Sequence, residues 1–300
     1  NQISMDKFKG TGVALVTPFR KEGGVDYNAL QKLVEFQIDN GVNYLVVQGT
    51  TGESVTLNED EKQAILEFVI DINKKRLPIV LGVGGNNTAS VVNQMNKFNH
   101  YSIDAYLSVS PYYNKPPQKG IIAHYKEIAN STDKPIILYN VPGRTSSNMS
   151  SETTLELARS VSNIIAVKEA SGNLEQIMEI ISRKPNDFLV ISGDDALTLP
   201  HIACGGDGVI SVVANAFPKR FSSMVSHALR GELEKARSFH YELFPIIQQL
   251  FADGNPGGIK YVLKLINIGE DYMRLPLVNI NDETAKKLYK LVADIDDTLA

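Results

Sequence analysis

Cysteine and tryptophan are almost absent from this sequence of 300 residues, which has one cysteine, Cys204, and no tryptophan. One cysteine excludes an intramolecular disulfide and any metal site built from several cysteines. Because Cys204 stands among small and apolar neighbours, we expect its thiol to be buried in packing rather than catalytic. A chain without disulfides suits a reducing compartment, so we expect a cytoplasmic protein.

Long apolar runs and blocks of like charge are also missing. The apolar runs are shorter than the roughly 18 residues of a membrane span. The first seven residues are polar, unlike a secretion signal. The net charge is −4, with acidic and basic residues interspersed, so no basic patch predicts nucleic-acid binding. We therefore expect neither a membrane nor a nucleic acid as partner.

No pattern of metal ligands stands out. No histidine follows a strand-like run, and no two histidines have the i, i+4 spacing of helical metal ligands. The adjacent Asp194 and Asp195 could form a carboxylate pair, but the cap of a following helix is the commoner role. We therefore predict no metal site. The histidines are His100, His124, His201, His227 and His240.

Eight short and nearly continuous apolar runs recur along the first 217 residues. Most are followed by ten to fifteen residues of amphipathic pattern. Strands without polar alternation are buried on both faces and indicate a parallel sheet. Eight such units in about 210 residues predict an α/β fold, a (β/α)8 TIM barrel over residues 8–217. No G-x-G-x-x-G segment supports a doubly wound alternative. Residues 218–300 are helical only, which predicts a C-terminal helical extension packed on the barrel.

The sixth run, residues 164–167, ends in Lys168. A lysine at the end of a buried strand is costly unless it is solvated, paired or neutral. A neutral amine is a nucleophile toward carbonyl groups. The alternative is a lysine that only extends its ammonium group to water.

Polar side chains at other strand ends would share the same rim, because TIM-barrel active sites form at the carboxyl ends of the strands. Thr50 and Thr51 lie in a glycine-bounded turn that could hold a carboxylate, or simply form a loop. Tyr139 could place a phenol in the site one strand from Lys168, or could be a tyrosine packed in the core. Arg144 could clamp a carboxylate, or be solvated. A lysine, hydroxyls and an arginine together suit a Schiff-base (class I) aldolase.

Three segments resemble the signatures of the dihydrodipicolinate synthase family, within the N-acetylneuraminate lyase superfamily. They are residues 49–54 (GTTGES), 139–145 (YNVPGRT) and 167–172 (VKEASG), and the similarity extends from about Phe8 to Leu277. The resemblance implies condensation of pyruvate with L-aspartate 4-semialdehyde to 4-hydroxy-tetrahydrodipicolinate, in lysine and diaminopimelate biosynthesis.

The resemblance also implies residue roles. Lys168 would form the imine with pyruvate, with no other cofactor. Thr50 and Thr51 would hold the pyruvate carboxylate, and Thr50 and Tyr139 would belong to a proton relay. Tyr113 of a neighbouring subunit would complete that relay.

Further positions follow from the same resemblance. Arg144 would receive the carboxylate of the semialdehyde, while Gly193 and Ile210 would line the pyruvate pocket through their backbones. Members of the family are usually homotetramers built as a dimer of dimers.

Two alternatives remain beside this function. One is another pyruvate-dependent aldolase of the superfamily that acts on a sugar acid, against which Arg144 argues. The other is a non-catalytic barrel that binds keto acids, against which the intact lysine, tyrosine and threonines argue.

Two segments depart from the family pattern. Lysine-inhibited relatives hold lysine with a set of residues of which Ser54, Asn86 and Tyr112 are present here. The set in those relatives also contains two histidines and a glutamate. In this sequence Glu59 and Lys62 replace the histidines, and Ser90 replaces the glutamate. We therefore predict weak or absent inhibition by lysine. The second departure is residues 255–258 (NPGG), to which the sequence assigns no function.

Overall fold

The eight apolar runs form eight parallel strands that close into a barrel, in a computed structural model that describes residues 5–296. The strands pair in sequence order, and β8 closes on β1. Nearly every strand residue is buried, as expected for strands covered on both faces. The predicted TIM barrel is confirmed. Its strands are β1 Gly10–Ala14, β2 Tyr44–Val47, β3 Ile79–Gly82, β4 Ala105–Val109, β5 Ile136–Asn140, β6 Ile164–Glu169, β7 Leu189–Ser192 and β8 Gly208–Ser211.

Twelve α-helices accompany these strands in the described part of the chain, and none is long and apolar enough to cross a membrane. The prediction about a secretion signal rests partly on residues 1–4, which lie outside the described residues. The helices are α1 Tyr27–Asp39, α2 Glu59–Asn73, α3 Thr88–Phe98, α4 Gln118–Asn130, α5 Pro142–Thr145, α6 Ser151–Ser160, α7 Leu174–Arg183, α8 Thr198–Ala203, α9 Pro218–Leu229, α10 Leu233–Leu250, α11 Gly257–Leu265 and α12 Asp282–Ile295.

Two apolar cores lie on the two faces of the barrel wall. A large outer core fills the space between strands and helices. A smaller inner core fills the barrel with side chains from alternating strand positions. Inner-core residues include Val46, Val80, Leu107, Ile137 and Ile191. The barrel interior is therefore packed, and a substrate can bind only at one of its ends.

The last four helices cover one side of the barrel. Helix α9 packs on β1 and β8, and α10 packs on α9 and α12. Helix α11 lies between α10 and α12. The division of the chain between residues 217 and 218 stays a prediction, since α9 takes the place of a barrel helix while it also contacts the helices that follow.

Two predictions about individual residues are wrong. Cys204 is exposed rather than buried. It caps α8, and the chain reverses at Gly205 (φ 107°), so the small neighbours form a turn and not a core. Asp194 precedes a short 3-10 helix but makes no capping hydrogen bond with its side chain. Asp195 instead accepts from the backbone N–H groups of Val212 (3.2 Å) and Val213 (2.8 Å), which anchors the chain after β8.

Candidate active site

Lys168 lies near the carboxyl end of β6, in register with Tyr139 on β5 and Ile191 on β7. Its side chain is buried, and Nζ lies 4.0 Å from the centroid of the Tyr139 ring. Within residues 5–296, Nζ forms no ion pair with a carboxylate. Burial raises the pKa of Asp194, and the nearby charge of Lys168 lowers it without cancelling that rise. The amine is therefore enclosed and not neutralised by a direct partner.

The turn that follows β2, residues 49–53, is called the threonine turn here. Its backbone is tightly constrained, because Gln48 just before the turn (φ 62°) and Glu53 at its end (φ 54°) both have left-handed conformations that are costly outside glycine. A Cβ atom on Gly82 of β3 would lie 2.2 Å from the Gln48 carbonyl oxygen. Glycine at position 82 thus lets the start of the turn pack directly against β3.

The threonine turn presents hydrogen-bond donors that the chain leaves unused. The Thr17 hydroxyl donates to the Gly52 carbonyl (2.7 Å), which fixes the far side of the turn. Among residues 5–296, no group accepts a hydrogen bond from the backbone N–H of Thr50 or Thr51. Backbone N–H groups without a protein acceptor must bind water or a ligand. The turn can therefore bind an anionic group.

A cavity of about 490 Å³ opens between the threonine turn and the ends of β3, β4 and β5. Thr50, Tyr139 and Arg144 line it together. The structure thus brings three predicted site residues to one cavity, and Tyr139 also contacts Lys168. A second cavity, of about 890 Å³, lies at the amino ends of the strands, and none of the predicted site residues lines it. Its position is the face of a TIM barrel that serves stability.

Gly193, the residue after β7, lies beside Lys168. A Cβ atom there would be 2.7 Å from Cβ of Ala170 and 3.2 Å from Cε of Lys168. The missing side chain therefore gives the lysine its room. Ile210 is buried on β8 in the same inner core as Tyr139. Neither Gly193 nor Ile210 lines the cavity, and Thr51 is buried outside its lining.

Two predicted residues stand apart from Lys168. Tyr113 is 89% exposed with φ 68°, and it does not line the cavity. The fold of one subunit therefore does not bring Tyr113 to the buried amine. Arg144 lies on α5 at the exposed side of the cavity, and its side chain makes no hydrogen bond within the described residues. Its guanidinium group is free to bind a ligand.

Glu169, next to Lys168, is held by a polar cluster that the sequence does not predict. Its carboxylate accepts from Asn140 Nδ2 (3.0 Å), Ser171 Oγ (2.7 Å) and Gln176 Nε2 (3.2 Å). Burial raises the pKa of Glu169 despite these donors. The cluster joins the ends of β5 and β6 to α7 and so fixes the strand that carries Lys168.

Sequence reasoning also missed two contacts of the threonine turn with the C-terminal helices. Glu53 and Lys260 form a fully buried ion pair, with Oε2 and Nζ 2.5 Å apart. The Asn255 amide donates to Thr51 Oγ1 (3.0 Å). The only sign of these contacts in the sequence is Lys260, which interrupts an apolar helical pattern. Within the described residues, no group of three or more acidic, histidine or cysteine side chains is arranged to hold a metal ion.

Comparison with known proteins identifies the family. The model of the dihydrodipicolinate synthetase family matches residues 7–295. A relative from Flavobacterium psychrophilum, named 4-hydroxy-tetrahydrodipicolinate synthase, is 51% identical over 95% of this chain and 97% of its own. One of the same name from Parabacteroides distasonis is 53% identical over 96% and 97%. The crystal structure of dihydrodipicolinate synthase from Aquifex aeolicus is 40% identical with a TM-score of 0.93, covering 96% of this chain and 98% of that one. The chain therefore belongs to the dihydrodipicolinate synthetase family.

Proposed function

We propose that the protein is a lyase that condenses pyruvate with L-aspartate 4-semialdehyde to 4-hydroxy-tetrahydrodipicolinate, in lysine and diaminopimelate biosynthesis. The observation that carries the proposal is the buried Lys168 amine, which lies 4.0 Å from the Tyr139 ring at the carboxyl end of the barrel. A nucleophilic lysine at this rim is the group that class I aldolase chemistry requires. The names of relatives at about 50% identity support the same reaction.

The chemistry begins on Lys168. Its amine adds to the keto carbon of pyruvate, and the carbonyl oxygen leaves as water to give a protonated imine. Loss of a proton from the pyruvate methyl group gives an enamine, whose carbon bonds to the aldehyde carbon of the semialdehyde. The amino group of the semialdehyde then attacks the imine carbon and displaces Lys168, which closes the ring. No other cofactor is needed, because the imine stabilises the developing carbanion.

The first substrate is held at the threonine turn. The unused N–H groups of Thr50 and Thr51 and their hydroxyls bind the pyruvate carboxylate, while Gly193 and Ile210 border it through their backbones. Thr50 and Tyr139 pass protons to and from the reacting atoms. A partner subunit supplies the third member of this relay, and the exposure of Tyr113 supports its use between subunits.

The second substrate enters through the open cavity. Arg144 stands at its exposed side and has no partner in the described chain, so its guanidinium binds the carboxylate of the semialdehyde. The relay through Tyr113 needs at least a dimer, and we propose a homotetramer built as a dimer of dimers. Its place of action is the cytoplasm.

Borohydride reduction in the presence of pyruvate tests the function. The reduced adduct should be found by mass spectrometry on Lys168 and should be lost in Lys168→Ala. The matched control is Lys62→Ala, since Lys62 lines the cavity but has no role in the imine. The absence of an adduct on Lys168 in the unmodified protein would refute the proposal. Assays with pyruvate and competing aldehydes distinguish this reaction from that of an aldolase that acts on a sugar acid.

A further inference from the structure

The threonine turn is held by a segment about 200 residues away in the sequence. This segment, residues 255–274, runs from the loop before α11 to the chain that follows it. It contacts the turn through Asn255 at Thr51 and through Lys260 at Glu53. Residues 255–258 are also the departure from the family pattern that the sequence left without a function.

The contact of Asn255 with Thr51 determines where the Thr51 proton can go. The Asn255 Nδ2 group donates to Thr51 Oγ1 at 3.0 Å. A threonine hydroxyl has one proton of its own, and an oxygen that accepts from an amide must direct that proton elsewhere. Thr51 is buried, and within residues 5–296 its hydroxyl donates to no other group. Because no described residue accepts the Thr51 proton, a ligand that binds at the turn can accept it.

Among the described residues, the side chain of Asn255 makes only this hydrogen bond. Its Oδ1 atom is buried without a hydrogen-bond partner among the described residues. A buried unpaired carbonyl oxygen costs free energy, so the fold gains little by placing an asparagine here. The hydrogen bond from the amide to Thr51 is then the contact that accounts for an asparagine at this position.

The rest of the segment fixes the position of Asn255. Lys260 also donates to the Tyr272 carbonyl (2.8 Å), and the Arg274 N–H donates to the other Glu53 oxygen, Oε1 (3.3 Å). A Cβ atom on Gly258 would lie 2.3 Å from the Leu250 carbonyl oxygen at the end of α10. Glycine there lets the start of α11 pack against α10, which brings Asn255 to the turn.

We propose that Asn255 is a positioning residue that acts through Thr51. Its amide donates to Thr51 Oγ1 and thereby commits the Thr51 hydroxyl to donate to the carboxylate of the keto-acid substrate. This inference rests on the proposed function, in which the threonine turn binds pyruvate.

A double-mutant cycle between Asn255→Ala and Thr51→Val tests this role. In the otherwise unmodified protein, Asn255→Ala should raise KM for pyruvate about five- to tenfold and change kcat less than about twofold. In the Thr51→Val protein, the same replacement should change KM less than about twofold, because the group it acts through is gone. KM for the semialdehyde should stay unchanged in both backgrounds. Equal effects of Asn255→Ala in both backgrounds, or no effect in either, would overturn the proposal.

A second variant and a second measurement separate positioning from loss of structure. Asn255→Asp keeps the shape, but its carboxylate can only accept a proton from Thr51 and repels the substrate carboxylate. Its KM for pyruvate should exceed that of Asn255→Ala at pH 8 and fall toward it as the pH is lowered. An Asn255→Asp protein with unchanged KM would overturn the proposal even if Asn255→Ala fails to fold.

The pyruvate concentration that gives half-maximal borohydride trapping should shift in parallel with KM. If the unmodified protein traps pyruvate on Lys168 while the Asn255 variants show no shift, only the positioning role fails. If the unmodified protein traps no pyruvate at all, the proposed function fails with it.

Discussion

Lys168 and Tyr139 occupy directly paired positions of β6 and β5, and the lysine amine lies 4.0 Å from the centre of the phenol ring. Sheet pairing therefore sets this relationship, because neither residue can shift along its strand without changing the register of the barrel. Gly193 leaves space on the other side of the lysine. The amine is confined between a ring and a backbone, so that its direction of attack is restricted before any substrate binds.

Replacement of Tyr139 by phenylalanine separates packing from proton transfer. The ring stays in place, but the hydroxyl proposed for the relay is lost, so kcat should fall about 10²- to 10³-fold. Steady-state assay gives kcat, and borohydride trapping should still mark Lys168. The control is Tyr125→Phe, which removes a buried hydroxyl that donates to the Ser108 carbonyl. That variant should lose about 1 kcal/mol of stability and keep its kcat. A Tyr139→Phe protein of normal kcat would exclude the relay.

Arg144→Ala should affect the second substrate alone. Loss of a guanidinium that binds a carboxylate is expected to raise KM for the semialdehyde at least about tenfold, with pyruvate trapping unchanged. Initial-rate measurements with each substrate varied in turn check this. Arg237→Ala is the matched control, since Arg237 is an exposed arginine on α10 that does not line the cavity. A parallel loss of pyruvate binding in Arg144→Ala would contradict the assignment.

The buried pair of Glu53 and Lys260 predicts a stability effect that depends on which partner is removed. Lys260→Met leaves a carboxylate buried without its cation and should lower the free energy of unfolding by about 3–5 kcal/mol. The double variant Glu53→Gln/Lys260→Met should be less destabilised, because no buried charge is left unpaired. Denaturant unfolding measures both.

An exposed ion pair provides the comparison. Lys287 and Glu283 are 3.1 Å apart at an exposed i, i+4 position of α12. Lys287→Met should therefore cost less than about 1 kcal/mol. If the double variant were less stable than Lys260→Met, the ion pair would not be the cause of the loss.

Asp195 gives a dependence of stability on pH with a definite sign. Burial raises its pKa from 3.8 to about 6. Well below pH 3.8 the carboxyl is protonated in both folded and unfolded protein. As the pH rises to 6, the unfolded chain loses the proton that the folded protein still holds, so folding loses stability. The loss amounts to about 2 kcal/mol between pH 4 and pH 6, and to about 3 kcal/mol once the pH is well above both pKa values.

Unfolding of Asp195→Asn at a series of pH values isolates that contribution. Asparagine keeps an oxygen to accept from the N–H groups of Val212 and Val213. The free energy of unfolding of the unmodified protein, relative to the variant, should decline between pH 4 and 6 and level off about one pH unit above the folded-state pKa. A difference that rises with pH would show that the carboxylate form is the one favoured by folding.

Weak or absent inhibition by lysine stays a prediction, and the structure adds a reason for it. Lys62 lines the cavity together with Ser54 and Tyr112. Its ammonium group lies 3.9 Å from Glu59, which also pairs with Lys97 (3.6 Å). A fixed ammonium near this part of the cavity repels the ammonium groups of lysine.

Assays with added lysine test this directly, and half-inhibition at millimolar or lower lysine would contradict it. The variant Glu59→His/Lys62→His/Ser90→Glu should gain inhibition. The single replacement Lys97→Ala serves as a control, since Lys97 contacts Glu59 from outside the cavity.

Much of this architecture was predictable because it is local in the sequence. The apolar run ending in Lys168 is long enough to predict a strand. Because the lysine stands at the end of that run, a barrel fold predicts that it lies at the carboxyl rim. The contacts of Thr51 with Asn255 and of Glu53 with Lys260 span 204 and 207 residues. No periodicity connects such positions, and a lysine within an apolar helix identifies no partner. The prediction that Cys204 is buried was wrong because small residues occur both in cores and in turns.

The long separation between the threonine turn and Asn255 has a consequence for synthesis of the chain. A ribosome adds about 5–20 residues per second, so residues 49–53 leave it about 10–40 seconds before Asn255 and Lys260 do. All eight strands exist by then, but the turn still lacks the groups that orient it. A nascent barrel with every predicted catalytic residue already made should therefore bind pyruvate poorly until the last helices have been translated.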